Sequence, residues 1–276
     1  MIQNSSLEMS PLLPQAALGE GVFLGPGYVA WLDILASSLQ CYRHGEVRVF
    51  PLPVQASVIL TGDRRRVLVL SREGVGELRL SSGGYSLLTG FGGLIPPCER
   101  TNDGCLLSDG TILFGTMSLK DPSRHPGSIF RCLHEGNLVK IMEGMHIPNT
   151  FVETSGGAVL ISDSYKGIVF LVNPEEPDLT NVWYRAPPGQ SPDGGCLMGP
   201  DLVAIAIWDG ACVRLFDFSG QVKADLALPV PRPTSVAFDL KSQILWVTSA
   251  AEGLDVKLLK EHPLSGATFS VSNFVF

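Results

Sequence analysis

Six short apolar runs recur along the chain at nearly even spacing: YVAWLDI from Tyr28, RVLVLS from Arg66, TILFGTM from Thr111, GAVLISDS from Gly157, LVAIAIW from Leu202 and ILWVTSA from Ile244. Successive starts are separated by 38, 45, 46, 45 and 42 residues. Each run is bounded by Gly, Pro, Asp or Asn, and stretches with helical period are hard to find, which marks an all-β chain. Self-similarity at such a period is the mark of a repeat architecture. Further strands follow most of the runs, as in GEVRVFPL after the first, GSIFRCL after the third, GIVFLV after the fourth and CVRLFDF after the fifth. Each unit then reads as a small antiparallel meander. Meanders of this size are blades of a β-propeller, where radial packing protects edges that a lone sheet leaves open. The expected fold is therefore all-β, a six-bladed β-propeller with four-stranded antiparallel blades around a central channel. It is expected to occupy residues 1–276 as a single domain without a linker. A β-sandwich also has short strands and many turns, but it does not generate a sixfold repeat. A closed ring must join its ends, so the stretch near Leu7 to Leu13 is expected to share a blade with the C-terminal ATFSVSNFVF.

Composition removes several function classes. With 45% hydrophobic and 17% charged residues the chain is not disordered, and no apolar run is long enough to cross a bilayer as a helix. No membrane partner is expected. A formal net charge of −7 opposes a phosphate backbone, so nucleic acid is not an expected partner either; small molecules and cations suit it better. The six cysteines (Cys41, Cys98, Cys105, Cys132, Cys196, Cys212) contain no C-x-x-C pair and read as buried small hydrophobes. The N-terminus has neither a basic region nor an unbroken apolar segment of a secretory signal, and a cytoplasmic location is expected. The five histidines form no spaced pair, and G-x-S-x-G is absent, which leaves no nucleophile elbow. Nothing in the pattern identifies an oligomer face.

Chemistry is expected where polar residues sit at equivalent points of successive blades. Four segments qualify: LGEG (Leu18 to Gly21), RTNDG (Arg100 to Gly104), IPNT (Ile147 to Thr150) and SPDGG (Ser191 to Gly195). Taken singly, each is ordinary turn chemistry. Their recurrence ahead of strong strands would bring Glu20, Asn102, Asp103, Asn149 and Asp193 together at one end of the channel.

The same segments carry a resemblance. LGEGVFLGPGYVAWLDI at 18–34, RTNDGCLLSDGTILFGTM at 100–117, IPNTFVETSGGAVLISDS at 147–164, PDGGCLMGPDLVAIAIWDGACVRLFDFSG at 192–220, and LPVPRPTSVAFD with ILWVTSA at 228–250 resemble the senescence marker protein (regucalcin), gluconolactonase and luciferin-regenerating enzyme family along nearly the whole chain. The resemblance implies a six-bladed propeller with one divalent cation in the channel and hydrolysis of a sugar lactone. It implies Glu20, Asn149 and Asp193 as metal ligands and Arg100 and Asn102 as substrate-holding residues. Two carboxylates and an amide offer only oxygen, which suits a hard cation, Ca²⁺ first, with Mg²⁺, Mn²⁺ or Zn²⁺ as alternatives. Asp193, placed between metal and water, is the expected general base. Two other functions use the same architecture: an arylesterase or organophosphate hydrolase on the same metal site, and a non-catalytic calcium-binding propeller.

The match is imperfect at two points. Animal members carry a substrate-holding acidic residue a few positions after G-T-M, where this chain has Lys120. Lys120 is therefore a candidate substrate-binding residue for a lactone with its own carboxylate, such as a uronate or aldarate lactone; the alternative is a loop that turns it to solvent. Thr150 stands where the family usually has Gly, and it must either take ordinary dihedrals or carry strain. His146, Asp163 and Trp208 are further residues that could line the channel.

Overall fold

The structure is a computed structural model that describes residues 7–133, 136–177 and 180–274. Among these residues six four-stranded antiparallel sheets form the six blades of a propeller. Blade I comprises β2 (Gly19–Gly25), β3 (Tyr28–Asp33), β4 (Ser38–Arg43) and β5 (Glu46–Pro51). Blade II comprises β6 (Ala56–Gly62), β7 (Arg66–Ser71), β8 (Gly74–Arg79) and β9 (Tyr85–Gly90). Blade III is β10 (Glu99–Leu106), β11 (Ile112–Ser118), β12 (Gly127–Cys132) and β13 (Leu138–Met145), and blade IV is β14 (Pro148–Glu153), β15 (Val159–Asp163), β16 (Ile168–Val172) and β17 (Asn181–Arg185). Blade V is β18 (Ser191–Leu197), β19 (Val203–Trp208), β20 (Cys212–Phe216) and β21 (Val222–Ala227). Blade VI joins β22 (Pro233–Asp239), β23 (Ile244–Ser249) and β24 (Thr268–Ser272) to the N-terminal β1 (Glu8–Leu12). The innermost strands β2, β6, β10, β14, β18 and β22 touch in a closed circle and surround the channel. One short helix, α1 (Val256–Glu261), capped by Asp255, lies between β23 and β24.

Radial position decides burial, and burial explains which strands the sequence displays. The second and third strands of a blade are covered on both faces by the neighbouring blades, so every residue of β3, β15 and β20 is buried. Strands covered on both faces read as continuous apolar runs rather than alternating ones. All six recurring runs are second strands. Outer strands face solvent, and β9 has no buried residue. In blade I the strand after Tyr28–Asp33 is Ser38–Arg43, and GEVRVF is the outermost strand, whereas the sequence suggested that GEVRVFPL came next. Ser38, Gln40 and Arg43 interrupt the apolar pattern, although Ser38 and Gln40 are buried once blades close over them. The cysteines also divide: Cys41, Cys132 and Cys212 are buried, but Cys105 and Cys196 are half-buried and Cys98 is exposed.

The core is six layers between blades rather than one central mass. Tyr28, Leu32, Leu39, Ile59 and Val69 pack blade I on blade II. Phe91, Phe114 and Phe130 stack with centroids 5.6 Å apart at each step between blades II and III. Trp31 and Trp246 pack blade I on blade VI.

Ring closure is as expected. β1 pairs antiparallel with β24 in the register Glu8↔Ser272 to Leu12↔Thr268, while Val275 and Phe276 lie outside the described residues. The N-terminal strand therefore completes the last blade and covers an edge that would otherwise be open to another chain. Removing residues 1–12 should lower the melting temperature and promote association, measured by calorimetry and light scattering. An unchanged melting temperature in a monodisperse truncated protein would contradict this role.

Candidate active site at one end of the channel

All six innermost strands break their ladder with the next strand near one end of the channel. The register shifts fall between Glu20 and Phe23, Ala56 and Val58, Thr101 and Gly104, Asn149 and Val152, Pro192 and Gly195, and Pro233 and Val236. A bulge bends the strand and re-aims a side chain, so Asn102 and Asp193 lie inside bulges while Glu20 and Asn149 immediately precede them. The bulges also hold the seams. The Ser57 hydroxyl donates to Thr101 Oγ1 at 2.7 Å between blades II and III, and the Val22 amide donates to Ser235 Oγ at 3.3 Å between blades I and VI. Between blades V and VI, Gly194 lets the backbones approach closely, since a Cβ there would lie 2.9 Å from the Thr234 carbonyl oxygen.

Thr150 takes the strained alternative, with φ of +80°, a conformation unusual for a β-branched residue. Its hydroxyl donates to the Asp193 carbonyl at 2.6 Å and lies 2.9 Å from Ser162 Oγ. The strain is held by bonds that fix the backbone of the neighbouring site residue.

A directed chain of hydrogen bonds orients the amides. Arg100 Nη1 donates to Asn102 Oδ1 at 2.7 Å, and Asn102 Nδ2 donates to Asn149 Oδ1 at 2.8 Å and to the Pro148 carbonyl at 3.0 Å. Asn149 Nδ2 donates to Ser164 Oγ at 2.9 Å, and Ser164 donates to the Pro192 carbonyl at 2.6 Å. A guanidinium can only donate and a carbonyl can only accept, so the two ends set every amide between them. Asn149 is thereby left with a carbonyl oxygen that has one remaining lone pair. Asn102 is buried and uses both amide hydrogens and one oxygen lone pair in these bonds, so it orients Arg100 and Asn149 while its carbonyl oxygen, like that of Asn149, keeps one acceptor position.

Glu20, Arg100, Asn102, Asn149 and Asp193 line one cavity of about 420 Å³. Glu20 is pushed up to about 8, by burial first and then by the Asp103 charge, with the Gly21 amide and Arg100 opposing. Burial, then the Glu20 and Asp103 charges, hold Asp193 well above the usual carboxylate range. Burial lowers the Arg100 guanidinium, and the nearby carboxylates raise it. Arg100 forms no ion pair among the described residues. Buried carboxylates that repel one another favour a proton or a cation between them. Among the described residues no three His, Cys, Asp or Glu side chains form a metal set; Glu20, Asp193 and the Asn149 carbonyl bring oxygen to the cavity, the donor type that fits a hard cation.

Two expected residues lie elsewhere. Lys120 is exposed and is not part of the cavity wall. β11 ends at Ser118, whose Oγ accepts from the Lys120 amide at 3.2 Å, and the chain turns outward there. Asp103 lines a second cavity of about 380 Å³ at the other end of the channel, with Cys105 and Cys196. The bulge at Asn102–Asp103 sends the two neighbours to opposite ends. Burial pushes Asp103 up to about 6 and also raises both thiols.

Of the other candidates, Trp208 lines the site cavity. Asp163 is fully buried and ties a turn by accepting from the amides of His146 (3.1 Å) and Ile147 (3.4 Å). His146 is held on Asp163, with its Nδ1 3.1 Å from Oδ2, and stacks on Tyr165. Tyr165, Arg232 and Glu252 also line the cavity. No motif announced these three, because they sit on turns between strands and on the loop after β23. His134 lies outside the described residues.

The family model described as SMP-30/Gluconolactonase/LRE-like region matches residues 18–251, and the chain belongs to that family. A protein from Rhizobium meliloti (strain 1021) named as a sugar lactone lactonase is 28% identical over 269 residues, covering 92% of this chain and 89% of that one. Pentonolactonase XacC of Haloferax volcanii is 28% identical over 261 residues, covering 84% and 81%. The structure of a calcium-binding protein, regucalcin, from Agrobacterium tumefaciens superposes with a TM-score of 0.85 at 24% identity, covering 95% of this chain and 92% of that one; this likeness concerns the fold.

The raised Glu20 has a consequence for stability. Between its ordinary 4.5 and its folded value of about 8, the folded metal-free protein holds a proton that the unfolded chain has released. This contribution is fully present below about pH 4.5 and is lost as pH rises through about 8. Metal-free Glu20→Gln should therefore melt higher than metal-free wild type near pH 9 and similarly near pH 5, as read by thermal melts. An equal difference at both pH values would contradict it.

Proposed function

We propose that this chain is a metal-dependent lactonase that hydrolyses a sugar lactone in the cavity at the Glu20 end of the channel. The observation that carries this reading is the meeting of Glu20, Asn149 and Asp193 with Arg100 in one cavity, in a chain whose full-length relatives are named for lactone hydrolysis. Glu20, Asn149 and Asp193 would hold one divalent cation, Ca²⁺ first, which when bound supplies Lewis acidity towards a carbonyl and lowers the pKa of a water.

Asp193 acts as the general base. It is buried, and burial with the Glu20 and Asp103 charges raises its proton affinity while Arg100 opposes; a carboxylate of raised proton affinity is the stronger base. It takes a proton from the attacking water as the new carbon–oxygen bond forms, and returns it to the ring oxygen as the lactone carbon–oxygen bond breaks. The product is the open-chain hydroxy acid. Arg100 offers Nε and Nη2, which have no hydrogen-bond partner among the described residues, to substrate oxygens. The Arg100–Asn102–Asn149–Ser164 chain keeps these groups in place between turnovers, which is the benefit of a preorganised polar site. The presence of Arg100 in the cavity also favours a polar lactone over an aryl ester. No helix among the described residues is long and apolar enough to cross a membrane.

Metal-stripped protein assayed on neutral aldonolactones should regain turnover on addition of Ca²⁺, Mg²⁺, Mn²⁺ or Zn²⁺. Asp193→Ala should lose at least about 10²-fold in kcat, and more if the cation leaves with it. Absence of turnover with all four cations, or a fully active metal-replete Asp193→Ala, would overturn the assignment.

A further inference from the structure

The loop after β23 reads AAEGLD from Ala250, and its backbone is held at three points beside the cavity. The Ala251 and Glu252 amides both donate to the Ala17 carbonyl, at 3.0 and 2.9 Å. The Glu252 carbonyl accepts from Arg232 Nη1. Arg232 is itself fixed by Asp209, whose Oδ1 accepts from Nε at 2.7 Å, and its guanidinium lies 4.7 Å from the centroid of the Trp208 ring. Gly253, at φ of +68°, makes room for this arrangement, because a Cβ there would stand 2.8 Å from Arg232 Nη1. Glu252 itself is held through its main chain, by its amide on Ala17 and its carbonyl on Arg232. Its carboxylate has no hydrogen-bond or ion-pair partner among the described residues, although Glu252 lines the cavity and its charge is felt at both Glu20 and Arg100.

Glu252 is exposed at the cavity wall, with its main chain held and its carboxylate oxygens unpaired, so a ligand in the cavity can reach it as an acceptor. Across the cavity Arg100 is a preorganised donor. A hydroxyl group can donate to one and accept from the other, so the pair suits a polyhydroxylated ligand. A ligand carboxylate placed there cannot donate to Glu252 and brings a like charge next to it.

From this placement we infer that Glu252 is a specificity-determining residue, which accepts hydroxyl groups of a neutral polyhydroxylated lactone and disfavours lactones that carry a carboxylate. The inference rests on the lactonase reading. It also replaces the role considered for Lys120, which points to solvent: the acidic residue at the substrate comes from blade VI rather than from the segment after G-T-M.

The test compares metal-loaded wild type, Glu252→Gln and Glu252→Lys on a neutral aldonolactone and an aldarolactone of the same ring size. It adds calorimetric titration with an open-chain sugar alcohol, and metal titration as a control. Wild type should favour the neutral lactone. Glu252→Gln should lose roughly 10- to 100-fold in kcat/KM on that substrate, the worth of a hydrogen bond to a charged group, and should keep or gain activity on the acidic one. Sugar-alcohol affinity should fall in the same proportion with metal affinity unchanged, and Glu252→Lys should reverse the preference. Equal losses on both lactones, no loss on either, or a wild-type preference for the acidic lactone would overturn the inference. Failure of wild type to hydrolyse any lactone would instead count against the lactonase reading, and the sugar-alcohol titration would then decide on Glu252: weaker binding by the Gln variant supports it, and unchanged binding overturns it.

Discussion

The bulges in the six innermost strands are the constraint from which the site follows. A regular ladder would point alternate side chains of each strand along the blade faces, into layers already filled by leucine, valine and aromatic side chains. An extra residue in each strand, and a second one in β6, breaks that alternation around the channel. Polar side chains can then reach across to the next blade, as Ser57 does to Thr101, Asn102 to Asn149 and Thr150 to the Asp193 carbonyl. The same bulges stitch the seams and position the side chains proposed to carry the chemistry. This coupling explains why a β-branched residue at a positive φ is retained at Thr150: its hydroxyl secures the main chain of Asp193.

The electrostatics of the cavity oppose stability and suit the cation site proposed above. Burying Glu20 and Asp193 within reach of each other raises the proton affinity of both, which is unfavourable for the ionised state and favourable for binding a divalent cation. Arg100 relieves part of that repulsion without forming an ion pair, and its free donors stay available to a ligand. The inter-blade layers supply the compensating stability, since burying each large apolar side chain contributes about 1.5–3 kcal/mol. Glu252 belongs to the same field, at the mouth of the cavity rather than in its floor.

Much of the fold was legible because a blade's second strand is apolar on both faces, and six such runs at even spacing leave few architectures. Outer strands were less legible, as β9 and the misplaced GEVRVF show, because residues facing water have no periodic signature. Of the site, Glu20, Asn102, Asn149 and Asp193 could be named together from recurrent motifs at the head of the innermost strands, and Arg100 from the family resemblance of the same segments. Asp103 and Lys120 could not be placed, since the direction of a side chain at a bulge or after a turn is set by the backbone around it. Arg232 and Glu252 were passed over because each is a lone charged residue in a loop, a context that is usually solvent.

By itself, then, the sequence determined the sixfold repeat, the joining of the chain ends in one blade and the residues at the head of each innermost strand, since local hydrophobic pattern and turn chemistry suffice for these. Only the tertiary structure decided which of those residues share a cavity, how the amides between Arg100 and Ser164 are oriented, and that Glu252 rather than Lys120 lines the cavity with Arg100. Such facts depend on contacts between blades, such as Asn102 on Asn149 and Ser164 on Pro192, and these contacts exist only when the blades pack into the ring.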